Sequence, residues 1–134
     1  SARPTWYIPS IGGTIEGGMK FFETSGYGIS EDDNKQFLRF FDGNEARYIY
    51  FELLVSVPYQ YEAQSFDIEF VYYRKGERWG GGVGTHITYA FYSDFYTWHG
   101  WGSHVPGLSF SPGNYVVELY SDGVLIASGE FGIY

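Results

Sequence analysis

Phe95, Tyr96, Trp98, His99, Trp101 and His104 fall within one ten-residue stretch, a density of flat rings and imidazoles that suits two kinds of chemistry. Flat rings stack on sugar faces and anchor protein interfaces. Imidazoles carry protons and ligate metals. A large apolar side chain left in water forgoes about 1.5 to 3 kcal/mol relative to burial, so several exposed together imply a partner that covers them. Tyr96, Trp98, His99, Trp101 and His104 are therefore the candidate ligand- or partner-binding residues. The competing reading is structural: the rings fold back and plug one open end of a core, with Gly100 and Gly102 letting the backbone approach.

Other chemistries fit less well. His86, His99 and His104 match no zinc spacing, and without cysteine all three would have to converge, so no metal site is expected. Glu31-Asp32-Asp33-Asn34 and Asp42-Gly43-Asn44-Glu45 offer the oxygen ligands calcium takes. Neither follows the spaced Asp-x-Asp-x-Asp-Gly loop, and both read as acidic turns. Glycoside hydrolysis needs two carboxyl groups across a cleft. Glu52, Asp67, Glu69 and Glu118 instead fall at outward positions of strands, where charges serve solubility and cross-strand pairing with Arg39, Arg47 or Arg74. There is no Gly-x-Ser-x-Gly elbow, and Gly80-Gly81-Gly82-Val83-Gly84 lacks the Lys-Ser/Thr of a phosphate loop. No catalytic residue, enzymatic activity or cofactor is expected; a small hydrolase is the third-ranked reading.

Charge narrows the partners. Lys and Arg number 8 against 16 Asp and Glu, a formal net charge of -8 that repels phosphate backbones and anionic lipid surfaces, so neither nucleic acid nor membrane is expected as a partner. No apolar run approaches the roughly 20 residues of a spanning helix. The start at Ser1 rather than Met suggests a processed terminus or a piece of a longer polypeptide.

What must position the rings is a β framework. Aromatics make up 22% of the chain with 14 Tyr and 12 Phe, and 19 glycines supply turns, a balance that favours an all-β domain. Residues 1–18, with Pro4, Pro9 and Gly12-Gly13, read as a linker or loosely docked arm, and residues 19–134 as the domain. Strands are expected at Met19 to Thr24 and Lys35 to Phe41, with a surface loop from Ser25 to Asn34. Arg47 to Val57 turns Ile49, Phe51, Leu53 and Val55 to one face, and Phe66 to Arg74 turns Phe66, Ile68, Phe70 and Tyr72 inward, with Pro58 to Gln64 joining them. Arg74-Lys75-Gly76-Glu77 reads as a tight turn, Trp79 to Gly84 as mobile or irregular, and Thr85 to Tyr92 as another strand. Ser93 to Pro112 reads as a long loop that includes a candidate strand at Phe95 to Trp101. Asp122-Gly123 between alternating apolar runs predicts a closing type I′ hairpin with Tyr115, Val117 and Leu119 set inward against Leu125, Ala127 and Phe131. Seven to eight short strands in two antiparallel sheets, a sandwich, follow.

The segment Arg47-Tyr-Ile-Tyr-Phe-Glu-Leu53, the Trp98-His-Gly-Trp-Gly102 stretch and the closing run from Pro112 to Phe131 resemble an immunoglobulin-like β-sandwich module of bacterial multidomain proteins. The resemblance spans roughly Met19 to Tyr134. It implies an immunoglobulin-like fold and a noncatalytic accessory role, protein interaction or domain scaffolding, with a protein partner or neighbouring domain. The alternative is a carbohydrate-binding module that stacks a glycan on Trp98, Trp101 and Tyr96. An exposed final strand, Val124 to Ile133, would also allow an edge-to-edge homodimer.

Overall fold

The computed structural model describes residues 6–8, 12–26, 35–57, 62–88 and 94–134. Within them the chain is all-β, with no helix. Nine strands run in order: β1 (Trp6–Ile8), β2 (Gly13–Thr24), β3 (Phe40–Phe41), β4 (Tyr48–Ser56), β5 (Gln64–Arg74), β6 (Glu77–Thr88), β7 (Asp94–Gly102), β8 (Gly113–Ser121) and β9 (Val124–Ile133). They form a four-stranded sheet in the order β1-β2-β4-β7 and a five-stranded sheet in the order β3-β9-β8-β5-β6. Every pairing is antiparallel except that of β3 with β9. Two very short strands, β1 and β3, raise the count above the seven or eight expected.

Period-two alternation builds the layer between the sheets. Ile49, Phe51, Leu53 and Val55 of β4 are buried, as are Phe66, Ile68, Phe70 and Tyr72 of β5 and Tyr115, Val117 and Leu119 of β8. These side chains belong to one apolar cluster, so successive strands from both sheets share a single interior. A buried polar link crosses it: the Tyr72 hydroxyl donates to the Ile49 carbonyl at 2.7 Å, tying β5 to β4. Both long hairpins of the five-stranded sheet turn on consecutive left-handed residues, Lys75 (φ 55°) with Gly76 (φ 79°) and Asp122 (φ 51°) with Gly123 (φ 78°). Positive φ at both central positions is the type I′ geometry whose twist matches the flanking strands.

The two sides of the sandwich close differently. On one side β6 and β7, the edges of opposite sheets, meet through side chains rather than hydrogen bonds. A Cβ at Gly80 would lie 2.8 Å from Trp101 Nε1, and one at Gly84 would lie 3.1 Å from His99 Cε1. The glycines are thus the floor on which those two rings rest. On the other side the chain itself changes sheets: Phe37 bridges Phe22 of β2, the Leu38 amide donates to the Phe21 carbonyl at 3.0 Å, and Phe40–Phe41 then pairs with Gly132 and Ile133 of β9.

Several expectations change. The span taken as a linker or arm contributes β1 and half of β2, and Ile8 and Ile15 are fully buried, so the domain does not begin at residue 19. Trp79 to Gly84 is strand in β6, irregular only at Trp79, where the register against β5 shifts: bare backbone hides the alternation because the missing side chains leave room for rings from across the sandwich. Lys35 to Phe41 is strand only at Phe40–Phe41, since its backbone divides its hydrogen bonds between two sheets. In the closing hairpin a bulge after Leu119 pairs Tyr120 with Leu125 and Leu119 with Ala127, so Ile126 goes inside and Leu125 is only half-buried. The final strand is flanked by β3 at Gly132 and Ile133. The acidic run Glu31 to Asn34, most of the loops around residues 27–34 and 58–61, and residues 89–93 lie outside the described residues.

Candidate functional site

The aromatic stretch forms β7, the edge of the four-stranded sheet, with Phe95 to Gly102 in unbroken register against β4. Strand geometry sends its rings to opposite faces. Thr97 is buried, Phe95 packs against the core, and His99 lies 5.9 Å from the Phe51 ring and 5.4 Å from the Phe70 ring. Trp101 continues this inward row onto Gly80 while remaining 42% exposed at the rim. Tyr96 and Trp98 point the other way. His104 sits exposed in the turn after the strand. The five candidate residues are therefore not one site, and a platform of Trp98, Trp101 and Tyr96 does not form, because Trp101 lies on the opposite face from the other two.

The outer face of β2, β4 and β7 is a packed polar and aromatic layer. The Tyr96 and Trp98 rings stack at 6.1 Å with 15° between their planes. Trp98 Nε1 donates to Glu52 Oε1 at 2.7 Å, and the Lys35 ammonium lies 3.8 Å from the same oxygen and 4.9 Å from the Trp98 ring. Lys35 and Glu52 are nearly buried together, and Lys35 also covers Phe22 at 5.8 Å. Trp98 is held by Tyr96, by Lys35 and by Glu52 at once, and Phe22 and Tyr50 extend the layer, with burial and then Tyr48 raising the Tyr50 pKa. Of this aromatic set only Tyr96 keeps substantial exposure, beside a 130 Å³ hollow edged by Glu16, Lys20, Glu52 and Leu54.

The other carboxylates occupy the opposite outer face. Asp67 accepts from the Thr85 hydroxyl at 2.7 Å and Glu118 from the Tyr120 hydroxyl at 3.0 Å, a bond that raises the Tyr120 pKa. Glu52 is thus separated from Asp67, Glu69 and Glu118 by the thickness of the sandwich, and the four do not face one another across a cleft. Among the described residues no three His, Asp or Glu side chains could hold a metal ion together. Asp42 caps its own turn, accepting from the Asn44 amide at 2.9 Å.

A second surface was not singled out from the sequence. Where the chain changes sheets, Phe37, Leu38 and Phe40 are all exposed, Phe40 at 64%. Phe37 and Leu38 border a 670 Å³ groove whose other walls are Met19 and Phe21 of β2 and Ser128 to Glu130 of β9, and Phe40 borders an adjoining 340 Å³ hollow that shares Arg39 and Glu130 with it. Lys20 lies 5.4 Å over the Phe37 ring, and Arg39 lines the same groove. The floor is apolar because Gly129 has no side chain: a Cβ there would meet Met19 at 3.0 Å and Phe21 at 3.1 Å. The available signal was the two adjacent apolar pairs Phe37-Leu38 and Phe40-Phe41, which period-two alternation cannot bury on one face.

No protein-family model matches the chain, and no curated protein sequence matches it. Among solved structures it is similar to the Pseudomonas fluorescens alkylpurine DNA glycosylase AlkC bound to DNA containing an abasic site analog, with a TM-score of 0.48, 13% identity, and coverage of 71% of this chain and 27% of that one. It is also similar to the beta-glucosidase from Kluyveromyces marxianus in complex with glucose, with a TM-score of 0.45, 12% identity, and coverage of 65% of this chain and 12% of that one. The chain thus spans a small part of the length of either enzyme.

Proposed function

We propose that this is an immunoglobulin-like module without a reaction centre of its own that binds a protein partner along the groove beside Phe37, Leu38 and Phe40. Two features support the immunoglobulin-like reading. The sheets β2-β4-β7 and β6-β5-β8-β9 correspond in order and direction to strands A-B-E and C′-C-F-G of that architecture. The Tyr115 hydroxyl, at the start of the strand corresponding to F, donates to the Ser111 carbonyl four residues upstream at 2.8 Å, the geometry of a tyrosine corner.

The observation that carries the functional reading is the exposure of three large apolar side chains in four consecutive positions beside a groove with an apolar floor. Burying each gains about 1.5 to 3 kcal/mol, enough for a few such anchors to drive association. Lys20, Arg39 and Glu130 supply a polar rim, the arrangement of a protein interface. The glycan alternative would now rest on Tyr96 and Trp101, which lie on opposite faces of β7, since Trp98 engages Tyr96, Lys35 and Glu52 within the fold.

A photo-crosslinking side chain placed at Leu38 and, separately, at Tyr120 on the far face tests the reading in the cells that make the protein. A discrete protein adduct at position 38, lost when F40D is added and missing at position 120, is the expected result. Equal labelling at both positions, or none at 38 while a glycan array yields binding that Y96A or W101A abolishes, would overturn it.

A further inference from the structure

We propose that the free edge of β6 pairs with β6 of a second copy of this chain, antiparallel across a two-fold axis, joining two five-stranded sheets into one of ten strands. This inference stands apart from the groove and engages a different side of the sandwich.

β6 ends the five-stranded sheet, and among the described residues it pairs only with β5. From Gly80 to Thr88 it carries no Lys, Arg, Asp, Glu or Pro. Nine residues of strand span about 30 Å, and such an edge, without charges or proline, is a template for another strand. Val83 and Ile87 stand on its outer face, 71% and 53% exposed.

The charge distribution selects the occupant. The chain carries a net charge of -8, so two copies repel over most of their surfaces. A neutral strip is where that repulsion is least at contact, and a strand without charges is complementary to itself. The faces also constrain the register. Gly80, Gly82 and Gly84 pair with the inward Tyr72, Phe70 and Ile68, whereas Val83 and Thr85 pair with the outward Glu69 and Asp67. A continuous sheet must set outward residues opposite outward residues, so the axis passes through a residue and not between two. Centred on Val83, the valine meets its own copy; centred on Gly84, Val83 meets Thr85 of the other copy. The Gly84 register leaves Glu77 and Arg78 outside the paired region, and the Val83 register sets Arg78 opposite the uncharged Thr88 at its very end.

The absence of cysteine makes the test direct. Sedimentation velocity of the full chain across a concentration series should show a monomer–dimer equilibrium. Because salt screens the repulsion between copies, the dimer should grow with ionic strength. Val83→Lys brings like charges together at the paired edge and should raise the dissociation constant on the order of tenfold, whereas V124K on β9, three strands in from that edge, should leave it unchanged. Under mild oxidation V83C alone, or V83C mixed with T85C, should form a disulfide dimer. Near-ultraviolet circular dichroism checks that each variant keeps its packed aromatic interior. A monomer at millimolar concentration overturns the proposal, as does a dimer that V83K leaves intact or that forms neither crosslink.

Discussion

Tyr72→Phe tests how the two sheets are joined, and its effect should depend on pH. The residue is fully buried, and its hydroxyl donates at 2.7 Å to the Ile49 carbonyl across the sandwich. Phenylalanine keeps the ring and its packing against Phe70, Trp79 and Phe131 and removes only the hydroxyl. Loss of one neutral hydrogen bond costs about 0.5 to 1.5 kcal/mol, so at pH 7 the variant should be less stable by about 1 kcal/mol. Burial, and secondarily Tyr50, holds the folded-state pKa of Tyr72 well above its ordinary value of 10. A group whose pKa is raised on folding contributes fully below the unfolded pKa and loses that contribution as pH rises toward the folded one. Above pH 10 the unfolded chain ionises Tyr72 and the native chain does not, which at pH 11 favours unfolding by about 1.4 kcal/mol. The variant lacks this liability, and the other tyrosines cancel in the comparison. Urea denaturation at pH 7 and pH 11 should therefore show the deficit of Y72F shrinking to nothing or reversing. A deficit unchanged between the two pH values would refute the account of Tyr72 as a buried, un-ionised link.

Gly80→Ala should destabilise the fold by about 1 to 3 kcal/mol, since its Cβ would lie 2.8 Å from Trp101 Nε1; thermal unfolding and a shift in tryptophan emission would record it. Trp98→Phe keeps a ring against Tyr96 but leaves the nearly buried Glu52 without its 2.7 Å donor, and chemical denaturation should show a loss of about 1 to 3 kcal/mol. Gly123→Ala meets nothing within 4 Å yet must hold φ at 78°, so its cost is conformational alone, about 1 kcal/mol in the same assay.

The legible parts of the fold were those where side chains alternate. Ile49 to Val55 and Phe66 to Tyr72 each put one large apolar residue at every second position, and Asp122-Gly123 states its own turn type. β6 was opaque because its inward positions are glycines, and a face defined by absent side chains leaves no hydrophobic pattern. β7 was legible as the candidate strand Phe95 to Trp101, but the facing of its rings was not: both of its faces carry rings, some packed inward and some layered under Lys35, so alternation in polarity is lost although alternation in direction remains. The division of Tyr96 and Trp98 from His99 and Trp101 follows from strand parity, but only once the stretch is read as strand and not as loop. The groove depends on a segment that divides its hydrogen bonds between two sheets, a tertiary arrangement that local sequence does not encode.

We propose that recognition belongs to the seam at Phe37, Leu38 and Phe40 and not to the aromatic layer of β7. The most direct measurement is the affinity of the captured protein partner for the L38D/F40D variant and for Y96A, by calorimetry on samples of matched thermal stability. The account predicts loss of on the order of a hundredfold or more for the first, two buried anchors being worth about 3 kcal/mol or more, and no change for the second. Full binding by L38D/F40D together with loss of binding by Y96A would contradict it.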